Sequence, residues 1–268
     1  MSLGYELEKA EEAVRDAGKL IKDIRSKRIP DSIFKQDGTP ATLADKKAEE
    51  LIRDRLFKEF PEYGFKGEEL ADVKSDNRYR WLCDPIDGTW SYINGENTVS
   101  VSLALEEDGD TVLGIVYHPF SSDFYAGAEG IDPTMNGREM PVFDAENLSD
   151  QVVNFKISKE YSKQIEGLYD RYRNGCFGKL VKQGGSIAHS LAQVAEGRHS
   201  SFLSYTGRPT ELWDVAAGMY LVRSAGGRMT DLENKPVDGK SQKVMVASTN
   251  ETVHSQILEI LDSTDFGY

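Results

Sequence analysis

Apolar residues recur at the helical period from about residue 5 to residue 25. There Leu7, Ala10, Val14, Ala17, Ile21 and Ile24 line one face against a charged opposite side, which predicts an amphipathic helix. A loop punctuated by Gly and Pro, Lys35 to Pro40, leads to a second helix from about Leu43. Its buried face would carry Ala48, Leu51, Ile52 and Leu56, and Pro61 ends it. The pattern then changes to short β-type runs at Tyr79–Cys83, Val99–Glu106 and Thr111–Tyr117. The last two flank Glu107-Asp108-Gly109-Asp110, a hairpin turn, and Asn136-Gly137 marks another tight turn. From about residue 150 strands and helices alternate: a strand at Val152–Ile157, a helix at Tyr161–Tyr172 and a helix at Ser186–Glu196 stopped by Gly197. Further helices follow Asp214 and span Glu251 to Asp262. An antiparallel-rich first half and an alternating second half predict an α+β fold. The expected division is an α+β part over 1–148 and an α/β part over 149–268.

Chemistry concentrates in Trp81-Leu82-Cys83-Asp84-Pro85-Ile86-Asp87-Gly88-Thr89. An apolar lead-in ends in two carboxylates three residues apart, with Pro85 expected to stop the strand and stiffen the corner. Carboxylates this close repel one another unless a divalent cation neutralises them, and hard oxygen donors suit Mg²⁺. Gly88 lets backbone approach a ligand, and Thr89 adds a hydroxyl beside free amides where a helix begins, an arrangement fitted to phosphate. Asp-Pro and Asp-Gly are also ordinary turn formers, and taken alone this stretch reads equally as a plain turn. Two further acidic segments shift that balance: Gly67-Glu68-Glu69 upstream, and Glu211-Leu212-Trp213-Asp214-Val215-Ala216-Ala217-Gly218 downstream.

With Ala225-Gly226-Gly227 closing the series, these segments resemble, in order, the diagnostic pieces of the inositol monophosphatase family. That family is grouped with fructose-1,6-bisphosphatases and 3′-phosphoadenosine phosphatases as Mg²⁺-dependent, lithium-sensitive enzymes. The resemblance implies a layered α-β-α-β-α sandwich of the sugar phosphatase type, with the N-terminal part carrying most metal ligands and the C-terminal part completing the site. It implies two or three Mg²⁺ ions. Glu68, Asp84 and the Ile86 carbonyl would hold the first, with Asp84 bridging to a second held by Asp87 and Asp214. Asp45 and Thr89, together with Glu68, take catalytic roles around the attacking water. Asp87, Gly88 and Thr89 line the phosphate, Gly185 and Ser186 form a sugar-contacting turn, and Lys35 lies on a loop near a third metal position. Two residues carry simpler readings as well: Asp45 as the acid of a helix-start box opened by Thr42, and Asp214 as a helix N-cap.

The implied reaction is hydrolysis of inositol monophosphate by direct attack of metal-activated water, without a phosphoenzyme. The substrate is less constrained. Gly207 stands where many relatives carry a sugar-binding glutamate, and Arg208 beside it reads either as a second-anion contact or as a surface ion pair. Fructose 1,6-bisphosphate, dual specificity and 3′-phosphoadenosine 5′-phosphate are therefore alternatives. A catalytically silent sugar-phosphate sensor is the alternative of a different class.

Composition sets the surroundings. The 268 residues carry a formal charge of −13, which disfavours nucleic acid as a partner. An anionic substrate then requires local reversal of sign by bound cations. No apolar run approaches the ~18 residues of a membrane span, and the N-terminus lacks a signal-peptide profile. Two cysteines, Cys83 and Cys176, suggest no disulfide framework, so a cytoplasmic protein is expected. The family resemblance adds the expectation of a homodimer.

Overall fold

The computed structural model describes residues 3–27, 32–35, 38–141, 143–207, 209–239 and 242–262. The chain runs α1 (Gly4–Lys27), β1 (Ser32–Phe34), β2 (Pro40–Thr42), α2 (Leu43–Glu59), β3 (Gly64–Gly67), β4 (Tyr79–Asp87), α3 (Thr89–Ile93), β5 (Ser100–Glu107), β6 (Asp110–His118), β7 (Asp123–Ala128), β8 (Ile131–Met135) and β9 (Arg138–Glu139). It continues through β10 (Val152–Ile157), α4 (Ser162–Arg173), β11 (Lys179–Lys182), α5 (Ile187–Ala195), β12 (Ser201–Tyr205), α6 (Leu212–Ser224), β13 (Arg228–Thr230), β14 (Val244–Ser248) and α7 (Glu251–Asp262). The fold is α+β and layered. Two compact units result. The first comprises the chain up to Glu139 together with Gly184–His189 and Leu212–Leu221, and the second comprises the rest. Relative to the expected 148/149 division, the first unit stops earlier, at Glu139, and takes in those two returning segments.

In the first unit, seven strands lie in the order β3-β4-β5-β6-β7-β8-β9, with β3 parallel to β4 and the other pairs antiparallel. Side chains alternate across a sheet. Trp81, Cys83, Val101, Leu103, Leu105, Leu113 and Ile115 accordingly share one core with Leu7, Val14 and Ile21 of α1 and Ala48, Ile52 and Leu56 of α2. The alternating positions meet the start of α6 on the other face: Ser102 Oγ donates to the Trp213 carbonyl at 2.9 Å. The Glu107–Asp110 hairpin forms as expected. Asp108 (φ 52°) and Gly109 (φ 96°) take the left-handed geometry that a tight two-residue turn demands.

Two expectations are corrected here. Pro85 does not end its strand, because β4 continues to Asp87. The pairing with β5 shifts register between Asp84 and Asp87, so that Asp84 faces Ser102 and Asp87 faces Ser100. That bulge places the residue lacking an N–H where the ladder is already interrupted. Asp214 lies within the first turn of α6, which starts at Leu212, and so is not the N-cap.

The second unit holds a mixed sheet in the order β11-β10-β12-β14-β13. β10 is parallel to β11 and β12, whereas β14 runs antiparallel to β12 and β13. Val153, Phe155, Leu203 and Val246 pack with Leu168 of α4 and with Val253, Ile257 and Leu261 of α7. Among the described residues, no helix is long and apolar enough to cross a membrane.

One glycine sets the approach of α6 to the first sheet. A Cβ on Gly114 of β6 would lie 2.6 Å from the Ala217 carbonyl oxygen and 3.1 Å from its Cα. Backbone cannot retreat as a flexible side chain can, so Gly114→Ala should cost roughly 1–3 kcal/mol through overpacking. It should also disturb Asp214 one turn away. Urea unfolding tests this: a midpoint unchanged from wild type would show that α6 is free to shift.

Candidate metal and phosphate site

Glu68 reaches the site through strand register. Gly67 pairs with Cys83 across the parallel β3–β4 ladder, and the Glu68 amide donates to the Cys83 carbonyl at 3.2 Å. Glu68 is thereby set beside Asp84, while α6 delivers Asp214 from far along the chain. Carboxylate oxygens of Glu68, Asp84 and Asp214 lie within 4.8 Å of one another. Asp84 is only 2% exposed. Burial pushes its pKa well above the usual carboxylate range, and repulsion from Glu68, Asp87, Asp214 and Asp45 pushes it further. The donor set suits a hard divalent cation such as Mg²⁺: oxygen ligands only, three acids, and a location where their mutual repulsion is poorly screened.

Asp45 closes the helix-start box and also contacts Thr89. Its Oδ2 accepts from the Thr42 amide at 2.8 Å and from the Thr42 hydroxyl, which closes the capping box of α2. Its Oδ1 accepts from Thr89 Oγ1 at 3.3 Å. Burial raises its pKa to about 7 against the opposing effect of the Thr42 hydrogen bonds. Thr89 Oγ1 also donates to the Ile86 carbonyl at 3.2 Å, and the Ile86 amide donates to Asp84 Oδ1 at 2.9 Å. The Asp-Pro-Ile-Asp-Gly-Thr corner is thus closed by its own groups.

Asp87 is braced rather than drawn into the trio. Its Oδ2 accepts from Ser186 Oγ and from the Ala188 amide, each at 2.7 Å. Ser186 is fully buried, and its hydroxyl lies 2.6 Å from Ser100 Oγ. The Ser186 hydroxyl, expected to meet substrate, here bonds to Asp87. Gly88 (φ 101°) and Gly185 (φ 84°) fit together, since a Cβ on Gly88 would meet the Ser186 amide at 3.1 Å and the Thr98 carbonyl at 3.0 Å. Lys35 Nζ donates to Glu68 at 2.8 Å and to Glu69 at 2.5 Å. Burial opposes its charge, but the two carboxylates outweigh that and raise its pKa. Arg208 lies outside the described residues.

Other sequence features settle into the core. Cys83 is buried, with its thiol pKa raised by burial, and both cysteines are free. The His189 ring packs 4.5 Å from that of His118. One residue that sequence reading passed over stands behind the acidic segment. Glu49 is 0% exposed, and its carboxylate accepts from the Glu69 amide at 2.8 Å and the Leu70 amide at 2.9 Å. Burial raises its pKa to about 7 against those two hydrogen bonds. Its signal was available, because residues 45, 49, 52 and 56 follow the spacing of the buried helix stripe, and two of them are acids.

Comparison with known proteins bears on this arrangement. The model of the inositol monophosphatase family matches residues 5–264. The chain belongs to the inositol monophosphatase family. It is 32% identical over 256 residues to an inositol-1-monophosphatase of Rhizobium meliloti, covering 93% of each chain. It is 35% identical over 240 residues to a histidinol-phosphatase of Chlorobaculum parvum, covering 88% of this chain and 90% of that one. The crystal structure of extragenic suppressor protein suhB from Bartonella henselae superposes with a TM-score of 0.87 at 26% identity. That match covers 99% of this chain and all of that one. Family membership makes the chain a member of a phosphatase family and accounts for the layered α+β fold.

The raised values have a measurable consequence for the metal-free protein. Asp45 and Glu49 sit at about 7 and Asp84 lies well above its usual range, so folding favours their protonated forms. That stability is complete below about pH 4, where the unfolded carboxyls are protonated too, and is lost as pH rises through about 7. Protein stripped with chelator should therefore lose thermal stability between about pH 5 and pH 8, and added Mg²⁺ should restore it. A melting temperature that climbs across this interval without metal would contradict the raised values.

Proposed function

We propose that this chain is an Mg²⁺-dependent phosphomonoesterase that hydrolyses inositol monophosphate by direct attack of water. The observation that carries the reading is the convergence of Glu68, Asp84 and Asp214 within 4.8 Å, next to the Asp45–Thr89 pair at 3.3 Å. Glu68, Asp84, the Ile86 carbonyl, Asp87 and Asp214 would hold two or three Mg²⁺ ions. Bound there, the metal would acidify water and shield charge on phosphate and leaving-group oxygens. The Gly88 and Thr89 amides hold the phosphate, with Gly88 in a left-handed conformation that brings backbone close to the ligand. The Thr89 hydroxyl and Asp45 Oδ1 orient the attacking water and accept its proton. A carboxylate whose pKa lies at about 7 is matched to that task near neutrality. The water oxygen bonds to phosphorus as the ester P–O bond breaks, and the departing alkoxide takes up a proton to give free alcohol and inorganic phosphate. Positioning and charge stabilisation supply the acceleration, and no side chain is phosphorylated.

Inositol monophosphate is placed first because the family match and the Rhizobium meliloti relative bear that name. The Chlorobaculum parvum relative favours a second reading, histidinol phosphate. Two free cysteines fit a cytoplasmic protein, and the family resemblance fits a homodimer, which light scattering would test.

Phosphate release with Mg²⁺ from inositol 1-phosphate, histidinol phosphate, fructose 1,6-bisphosphate and 3′-phosphoadenosine 5′-phosphate, compared side by side, ranks these readings. Inositol 1-phosphate should lead, and Li⁺ should inhibit. Asp84→Asn should reduce turnover by roughly 10²–10³-fold or more, the scale of losing a preorganised electrostatic group. Asp45→Asn should lower kcat by roughly 10²–10⁴-fold while leaving Mg²⁺ binding intact. Silence on all four substrates with metal bound would turn the reading to a sugar-phosphate sensor.

A further inference from the structure

We propose that Glu49 is the positioning residue of the metal site, acting as a buried receptor for the backbone turn that presents Glu68. The inference rests on the reading that Glu68 holds a divalent cation, and it names the group that keeps Glu68 in place. Three observations carry it. Glu49 is completely buried on the inner face of α2. Its two carboxylate oxygens are taken one each by consecutive amides, Oε2 by Glu69 at 2.8 Å and Oε1 by Leu70 at 2.9 Å. A Cβ built on Gly67 would land on this same carboxyl group, 2.7 Å from Oε2 and closer still to its other atoms.

Together these describe a lock around one residue. The amide of Glu68 itself is held by Cys83 on β4, and the two amides after it are held by Glu49. The chain therefore turns out of β3 at a fixed angle, and the Glu68 side chain leaves that turn beside Asp84. Both carboxyl oxygens accept, and two bonds from consecutive amides to one planar group set the direction of the turn as well as its position. A side chain at position 67 would have to displace the Glu49 carboxyl group from that volume and from its two amides. The same helix carries Asp45 one turn earlier, so α2 orients the Asp45–Thr89 pair directly and the Glu68 turn through Glu49. Glu49 is absent from the Glu68–Asp84–Asp214 trio, so it acts through Glu68.

The test uses the full chain with Mn²⁺ as the probe, titrated calorimetrically. Glu49→Gln keeps the size but turns an NH₂ group toward one of the two amides. It should weaken Mn²⁺ binding roughly 10–100-fold, the usual cost of losing an outer partner of a metal ligand. KM at saturating metal should be unchanged. Gly67→Ala should reproduce this loss from the other side, and in a Glu49→Ala background it should add nothing, because the space is then open. Wild-type affinity in folded Glu49→Gln and Gly67→Ala would overturn the proposal. Unchanged affinity in Asp84→Asn would instead sink the metal-site reading beneath it. Should the variants fail to fold, amide exchange in the wild-type protein still decides. Glu69 and Leu70 should be protected to the level of the β3 and β4 amides, and rapid exchange there rules the lock out.

Discussion

Like charges held together around one buried acid, Asp84, are the constraint on which the first unit depends. Glu68, Asp84 and Asp214 come from a strand end, a strand bulge and a helix start, and nothing in their own chemistry favours their meeting. They are held by backbone: the β3–β4 register, the shifted β4–β5 ladder, and the contact of α6 with Gly114. Each of these is a main-chain interaction that a charged side chain cannot relax by changing rotamer. The apolar core shared by α1, α2 and the seven-stranded sheet supplies the free energy against which this repulsion is held. A cation converts the same arrangement from strained to favourable, so ligand binding and folding draw on one another.

Much of this was legible because the informative residues are contiguous. The Asp84–Thr89 run carries two acids, the bulge proline and a glycine in the left-handed region in six positions, and Gly67-Glu68-Glu69 sits one strand away. The long helices and the Asp108-Gly109 turn follow from local periodicity and local backbone preference. What escaped notice is set by partners distant in sequence. The passage of β4 through Pro85 depends on how β5 pairs beside it. The commitment of Ser186 to Asp87 spans 99 positions. Glu49 was passed over for a different reason: acids on a helix are usually solvated, and only the two amides of a following loop show that this one is not.

Asp45 illustrates how one side chain serves two physical ends without compromise. A carboxylate offers two oxygens with separate lone-pair directions. One oxygen closes the helix start with Thr42, and the other faces Thr89. The cap holds the side chain by one oxygen and leaves the other turned to Thr89. The helix-box reading of Asp45 therefore leaves one of its oxygens available beside Thr89.

The β3–β4 connection has an implication for how such a chain tolerates change. Gly67 and Cys83 are ladder partners, and the backbone between them leaves the site after Leu70, bridges back onto Phe65 of β3 through Val73, and joins β4 at Tyr79. Insertions or deletions before Val73 would break its bridge to Phe65, whereas those after it would lengthen or shorten a detour that leaves β3 and its bridge in place. Sequence length there can drift while the chemistry stays put. A single-residue slip inside the four-residue β3 strand would instead rotate Glu68 away from Asp84. Variation is thus channelled by topology: tolerated after the Val73 bridge, forbidden at the two feet.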